Sequence, residues 1–204
     1  MKNAILMLAM FILTVTNAKA QSLSYGVKVG ANYSNVYDSE GENFVADSKL
    51  GFAAGGFVSF TLLGIIGVQP EILFSQKGFK SSGTYFGTTY EMTRTTNHID
   101  APIMVAVKPI PFITLLFGPQ FSYLLSQKDD FTGGTIFGTQ QDDFNNDNLR
   151  KNTFGLIGGA DIAVSHLIIG VRAAWDVNNN NGDGTTTTPR YKNMLYQATV
   201  GYKF

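Results

Sequence analysis

The chain has no cysteine among its 204 residues. That excludes a disulfide framework, a thiolate metal site, a cysteine nucleophile and a lipid-modified N-terminal cysteine. It also has no net charge, because 15 basic and 15 acidic side chains cancel. A nucleic-acid partner would call for a basic excess to neutralise phosphates, so none is expected. Charge of either sign is scarce, at 15% of residues, against about a quarter in soluble domains. Histidine is limited to His98 and His166, which share no metal-ligand spacing. No glycine-rich loop follows a strand and opens a helix, so no nucleotide cradle is offered. No metal, cofactor or catalytic residue is therefore assigned. Nowhere do 18 consecutive apolar residues occur, so any membrane crossing must be made by strands.

What the chain does have is glycine, at 22 residues, and aromatic side chains, at 13%. It opens with a basic start, Met1-Lys2-Asn3. An apolar stretch from Ala4 to Val15 follows, and then Ala18-Lys19-Ala20. This order reads as a signal peptide over residues 1–20, with the mature domain spanning 21–204. Beyond it the hydrophobic period is two. Tyr25, Val27, Val29, Ala31 and Tyr33 share one face, and Ser24, Gly26, Lys28, Gly30 and Asn32 share the other. Seven more segments alternate in the same way, with apolar faces running Phe52–Phe60, Val68–Phe74, Ile99–Val107, Ile113–Tyr123, Phe154–Ile162, Ile169–Val177 and Met194–Phe204.

The connections alternate in length. Leu62–Gly64, Lys108–Pro111 and Ser165-His166 read as tight turns. Ser34–Leu50, Lys80–Thr95, Ser126–Arg150 and Asn178–Arg190 read as long polar loops. Short turns on one side and long loops on the other are the pattern of an outer-membrane barrel. The expected fold is an all-β, eight-stranded, antiparallel up-and-down transmembrane barrel. Hydrocarbon tolerates no open sheet edge, so strand one must close on strand eight. The apolar walls then face lipid. Tyr25, Phe60, Phe112 and Tyr202 should mark the short-turn interface, and Tyr33, Phe52, Tyr123 and Trp175 the loop interface. A lipocalin-like soluble barrel would reverse the faces, but its outer wall would need many charges. Here the polar walls are mostly Gly, Ser, Thr, Asn and Gln.

Eight strands enclose only enough space for side chains. The inward set includes Lys28, Glu71, Lys77, Asp100, Lys108, Asp161, Arg172, Asp176 and Lys203, both signs together. An interior network of paired charges is expected, with Glu71 and Asp161 serving Lys28 and Lys203. Pro70, Pro102 and Pro119 fall inside strands and suggest bulges or strand ends. His98 and Asp100 share a face, and packing in the lumen mouth is the plainer reading of that pair. Asp176–Gly184 has oxygen ligands at alternate positions. Its glycine comes one place late for a calcium loop, and its twelfth position is Thr187. Gln141–Asp147 is a similar acidic loop.

Several of these motifs resemble the Bacteroidetes PorT-like, porin-family outer-membrane β-barrel proteins: Tyr25–Tyr33, Gln69–Gly78, Ile99-Asp100-Ala101-Pro102-Ile103, Phe117-Gly118-Pro119 and Gly201–Phe204. Ala101 stands where leucine or isoleucine is usual. The resemblance covers essentially the whole mature chain and includes the three prolines. It implies an eight-stranded outer-membrane barrel and Phe204 as the signal read by the barrel-insertion machinery. It implies little about activity. The functional expectation is a non-enzymatic scaffold or surface-loop interaction protein with a filled lumen. Outer-membrane lipid, and protein partners at the loops, would be its contacts. The alternative is a small porin or solute conduit.

Overall fold

The computed structural model describes residues 21–37, 46–62, 64–85, 88–132, 138–140, 150–180 and 191–204. Residues 1–20, where a leader is expected, lie outside them. Among the described residues there are nine strands: β1 (Gln21–Tyr37), β2 (Ala46–Leu62), β3 (Ile66–Tyr85), β4 (Thr88–Ile110), β5 (Ile113–Thr132), β6 (Gly138–Gln140), β7 (Asn152–Val164), β8 (Leu167–Asp176) and β9 (Lys192–Lys203). All pairings are antiparallel between consecutive neighbours, and β1–β9 and β4–β5 complete the circuit. Eight strands form the ring. The three-residue β6 flanks β5 above it, pairing with Asp129 to Phe131.

The seam closes where the alternation places it. Gly26 opposes Lys203, and the ladder runs to Tyr37 opposite Lys192. On its outer side the Tyr25 and Phe204 rings stack at 5.4 Å, and Phe204 N donates to Tyr25 O at 2.9 Å.

Burial is inverted relative to a soluble protein. Val29 is 62% exposed and Ile72 65%, whereas Lys28 and Glu71 are each 3% exposed. Such a continuous apolar exterior has one stable solvent, the hydrocarbon of a membrane. Along β1 it runs from Leu23 to Tyr33, which at about 3.3 Å per residue and 40° tilt spans roughly 25 Å. The eight interface aromatics all point outward.

The prolines sit mid-strand and in register, without bulges. Each interrupts its ladder with the preceding strand: Pro70 with β2, Pro102 with β3, Pro119 with β4. Each still opposes a residue of the following strand: Ile103, Gln120 and Leu156 respectively. A strand residue directs its N–H to one side only, so the missing donor leaves the other ladder whole. The register shifts lie elsewhere, between Ser48 and Ala53, Asn97 and His98, and Val107 and Ile110.

The long loops are shorter than their composition suggests. Most of Lys80–Thr95 is strand, because β3 and β4 continue as a polar ladder to Tyr85 opposite Thr88. Serine and threonine occupy both faces there, so no hydrophobic alternation marks it, although threonine suits a strand. On the outer face, apolar residues give way at Gln76 on β3 and Asn97 on β4. The roughly ten further residues of each strand rise about 25 Å above the apolar band.

Candidate functional site: the ion-paired lumen

Alternation turns every second residue of the ring inward, and three tiers of charge result. In the lowest, Lys28 Nζ donates to Glu71 Oε1 at 2.7 Å, and Gln69 Nε2 donates to the same oxygen at 2.8 Å. Arg172 lies between two carboxylates, with Nη2 2.9 Å from Asp161 Oδ2 and 3.7 Å from Glu71 Oε1. Its Nη1 is 2.8 Å from Asp161 Oδ1, outside hydrogen-bonding angles, and donates instead to the Ala160 and Val171 carbonyls at 3.1 Å. Two cations and two anions thus balance within one buried cluster. Gly170 makes the room: a Cβ there would overlap Asp161 Oδ1 and come within 2.8 Å of Thr199 Oγ1. Beside the cluster, Met104, Ala106, Leu116, Ile157, Ala174 and Leu195 form an apolar core inside the barrel.

The middle tier holds Lys77, whose Nζ donates to Asp100 Oδ1 at 2.9 Å and Ser122 Oγ at 3.3 Å. Asp176 is buried there and accepts from Asn193 Nδ2 at 2.6 Å. Asn32 ties four strands together. Its amide donates to Ser75 Oγ at 3.0 Å, Gln76 O at 3.0 Å and Phe52 O at 3.2 Å, and its oxygen accepts from Gln197 Nε2 at 2.9 Å.

The upper tier stands at the loop end. Arg94 grips Asp129 through Nε at 2.8 Å and Nη2 at 2.6 Å, a bidentate fork. Its Nη1 donates to Tyr191 Oη at 2.7 Å, and its guanidinium lies 6.0 Å from the centre of the Phe79 ring. Burial works against that charge, but the Asp129 hydrogen bonds and Tyr191 hold the Arg94 pKa above its ordinary value. A cavity of about 20 Å³, room for about one water, lies among Phe79, Arg94, His98, Gln127, Tyr191 and Asn193.

Of the nine inward charges read from sequence, the structure brings Lys28, Glu71, Asp161 and Arg172 into one cluster and Lys77 with Asp100 into another. Asp176 is held by an amide. The expected service of Lys203 by Asp161 is corrected. Asp161 opposes Gly170, which opposes Thr199, four residues and about 13 Å above Lys203 along β9. Lys203 and Lys108 sit at the short-turn rim instead. Arg94 and Asp129 were absent from the sequence-derived set. Two β5 residues, Leu124 and Leu125, stand where one is needed opposite β4, between Asn97–Ser126 and His98–Leu124. That extra residue flips the phase of β5, so Gln127 and Asp129 turn inward.

His98 and Asp100 are both buried, but Asp100 is engaged by Lys77, and His98 Nδ1 has no hydrogen-bond partner. No group of three potential metal ligands occurs among the described residues. Residues 181–184 of the Asp176–Gly184 segment, and all of Gln141–Asp147, lie outside the described residues.

The family model for the outer membrane protein beta-barrel domain matches residues 19–181. The chain belongs to this outer-membrane β-barrel family. Its place is therefore the outer membrane. Among solved structures, Ail, the attachment invasion locus protein of Yersinia pestis, determined in complex with the heparin analogue sucrose octasulfate, aligns with a TM-score of 0.52. The alignment has 11% identity and covers 90% of this chain and 99% of that one. Neisserial surface protein A aligns with a TM-score of 0.52 at 14% identity, again over 90% of this chain and 99% of the other. At such identities the likeness concerns the fold. No curated protein sequence matches. For this outer-membrane barrel, the short turns, the start of β1 and the end of β9 fall on the periplasmic side, and the β3–β4–β5 extension stands outside the cell.

Proposed function

We propose that this barrel is a non-enzymatic membrane anchor that displays the β3–β4–β5 extension and its neighbouring loops for contact with partners outside the cell. The observation that carries the reading is the tiered, ion-paired interior beneath a polar extension of about ten residues per strand. Filling the lumen with paired charge stiffens the cylinder that carries this outer end. The burial of His98, together with the commitment of Asp100 to Lys77, argues against a working base at that pair.

Within the family, the Gln69–Gly78, Ile99–Ile103 and Phe117–Pro119 motifs support placement near the PorT-like branch. The basic start Met1-Lys2-Asn3, the apolar run Ala4–Val15 and Ala18-Lys19-Ala20 support an export leader over residues 1–20, and the aromatic Phe204 supports recognition by the insertion machinery.

Planar-bilayer recording of the refolded, mature chain tests the anchor reading. A silent bilayer, alongside heat-modifiable migration that certifies folding, is the expected result. Unitary conductance steps that change on Glu71→Gln would overturn it in favour of a solute conduit.

A further inference from the structure

Four rings run side by side across the periplasmic end of the seam, and the last of them is an imidazole. Tyr25 stacks on Phe204 at 5.4 Å, and Phe204 meets Tyr202 edge-on at 5.2 Å. Tyr202 in turn stacks on His166 at 5.4 Å, with 14° between the ring planes. Tyr25, Tyr202 and Phe204 are exposed on the lipid side of the wall. The imidazole that lies parallel to Tyr202 is therefore on that side too, and not in the lumen. It stands where the apolar band ends, next to Leu167, which opposes Tyr202.

The chain holds the ring there at a local cost. Val164 opposes Leu167 across a two-residue turn. Its first central residue, Ser165, has a φ of 56°, a left-handed value that glycine normally supplies in such turns. Among the described residues no other non-glycine residue has a positive φ. What serine brings and glycine lacks is a hydroxyl, and Ser165 Oγ lies 3.0 Å from His166 Nδ1. The His166 backbone is fixed as well, its carbonyl accepting from Lys203 N at 2.7 Å. A hydroxyl that donates to Nδ1 leaves the proton of the neutral ring on Nε2. The ring makes no other hydrogen bond among the described residues, so the Nε2 donor is offered outward.

Amphipathic rings at the end of an apolar band sit at the level of the lipid headgroups. An N–H held at that level, beside three rings that face lipid, meets the phosphodiester of a phospholipid, a charged acceptor that strengthens the bond. We infer that His166 is a headgroup ligand. Its Nε2 donates to the phosphate of a phospholipid in the periplasmic leaflet, and Ser165 orients the ring through Nδ1. The contact continues the lipid-facing surface of the barrel into the headgroup layer, and it fixes the height of the β7–β8 turn beside the seam. Ser165 is a positioning residue and does not touch the phosphate.

The test is solid-state NMR of the full mature chain, with isotope-labelled histidine, in frozen phosphatidylethanolamine bilayers and phosphate-free buffer. Only His98 and His166 carry the label, and the buried His98 is the internal control. Dipolar dephasing of nitrogen by lipid phosphorus is expected at His166 Nε2, for a nitrogen–phosphorus distance of about 4 Å, and none at His98. His166→Gln assigns the signal by removing it. Ser165→Gly keeps the turn, because glycine accepts the positive φ, and should lose most of the dephasing together with the fixed Nε2 tautomer. Heat-modifiable migration certifies that each variant is folded. Absence of dephasing at His166 in the unsubstituted chain would overturn the headgroup contact. Full dephasing in Ser165→Gly would overturn the positioning role of the serine. A second sample uses galactolipid bilayers, which contain no phosphorus, with inorganic phosphate added. Equal dephasing there would assign the donor to free phosphate and overturn the headgroup as the ligand.

Discussion

Replacing Arg172 by leucine tests whether the lower charge cluster is sealed. The guanidinium is 1% exposed and is the cation that Asp161 contacts. Glu71 keeps Lys28 and Gln69 after the change, so the damage falls on Asp161. The cluster goes from two cations and two anions to an excess of one buried negative charge. Removing one partner of a buried pair costs about 3–5 kcal/mol, because the survivor remains desolvated and uncompensated. Arg172→Leu combined with Asp161→Leu restores neutrality and should recover most of that loss, giving a coupling of about 2 kcal/mol or more. Equilibrium urea unfolding in lipid vesicles reads it out. Trp175 is the only tryptophan, points outward between Leu156 and Met194, and reports lipid contact by its fluorescence. A single-variant cost below about 1 kcal/mol, the size of an exposed pair, would refute the sealed cluster.

Other consequences follow from the same geometry. Gly170→Ala drives a methyl group into Asp161 Oδ1 and should cost about 1–3 kcal/mol by overpacking, read in the same unfolding assay. Val171→Arg places a cation on the lipid face of β8 and should cost about 2–4 kcal/mol. Thr95→Arg, above the apolar band, should cost little, and equal costs at the two sites would contradict the placement of the membrane. Phe204→Ala removes ring contacts to Tyr25 at 5.4 Å and Tyr202 at 5.2 Å, each worth about 0.5–1.5 kcal/mol. Refolding yield into vesicles should fall, and an unchanged yield would remove the seam role of the last residue.

The barrel was legible because its solvent is apolar. A wall facing lipid must be continuous, and the alternation Tyr25, Val27, Val29, Ala31, Tyr33 states it without ambiguity. The seam followed, since an edge cannot survive in hydrocarbon. The strands became illegible where the solvent changes to water. Above Phe74 the outward face of β3 turns polar, and a ladder rich in serine and threonine reads as loop. Individual charge pairings were partly legible. Parity gave the inward set, but the choice of partner depends on height around a sheared ring, and that placed Asp161 with Arg172 instead of Lys203. The Arg94–Asp129 fork was hidden by the extra residue at Leu124-Leu125, since strict alternation from Tyr123 points Asp129 at lipid.

The inversion of faces is tested most directly by site-directed spin labelling along β8, for which the cysteine-free chain is a ready background. Single cysteines at Leu167, Ile169, Val171 and Ala173, and at the inward Ile168 and Ala174, are labelled in lipid vesicles. Collision with oxygen, which concentrates in lipid, should be high at the four outward positions and low at the two inward ones, with a period of two. Equal accessibility at all six, or the opposite phase, would contradict a barrel that turns its apolar wall to the membrane and its charges to the lumen.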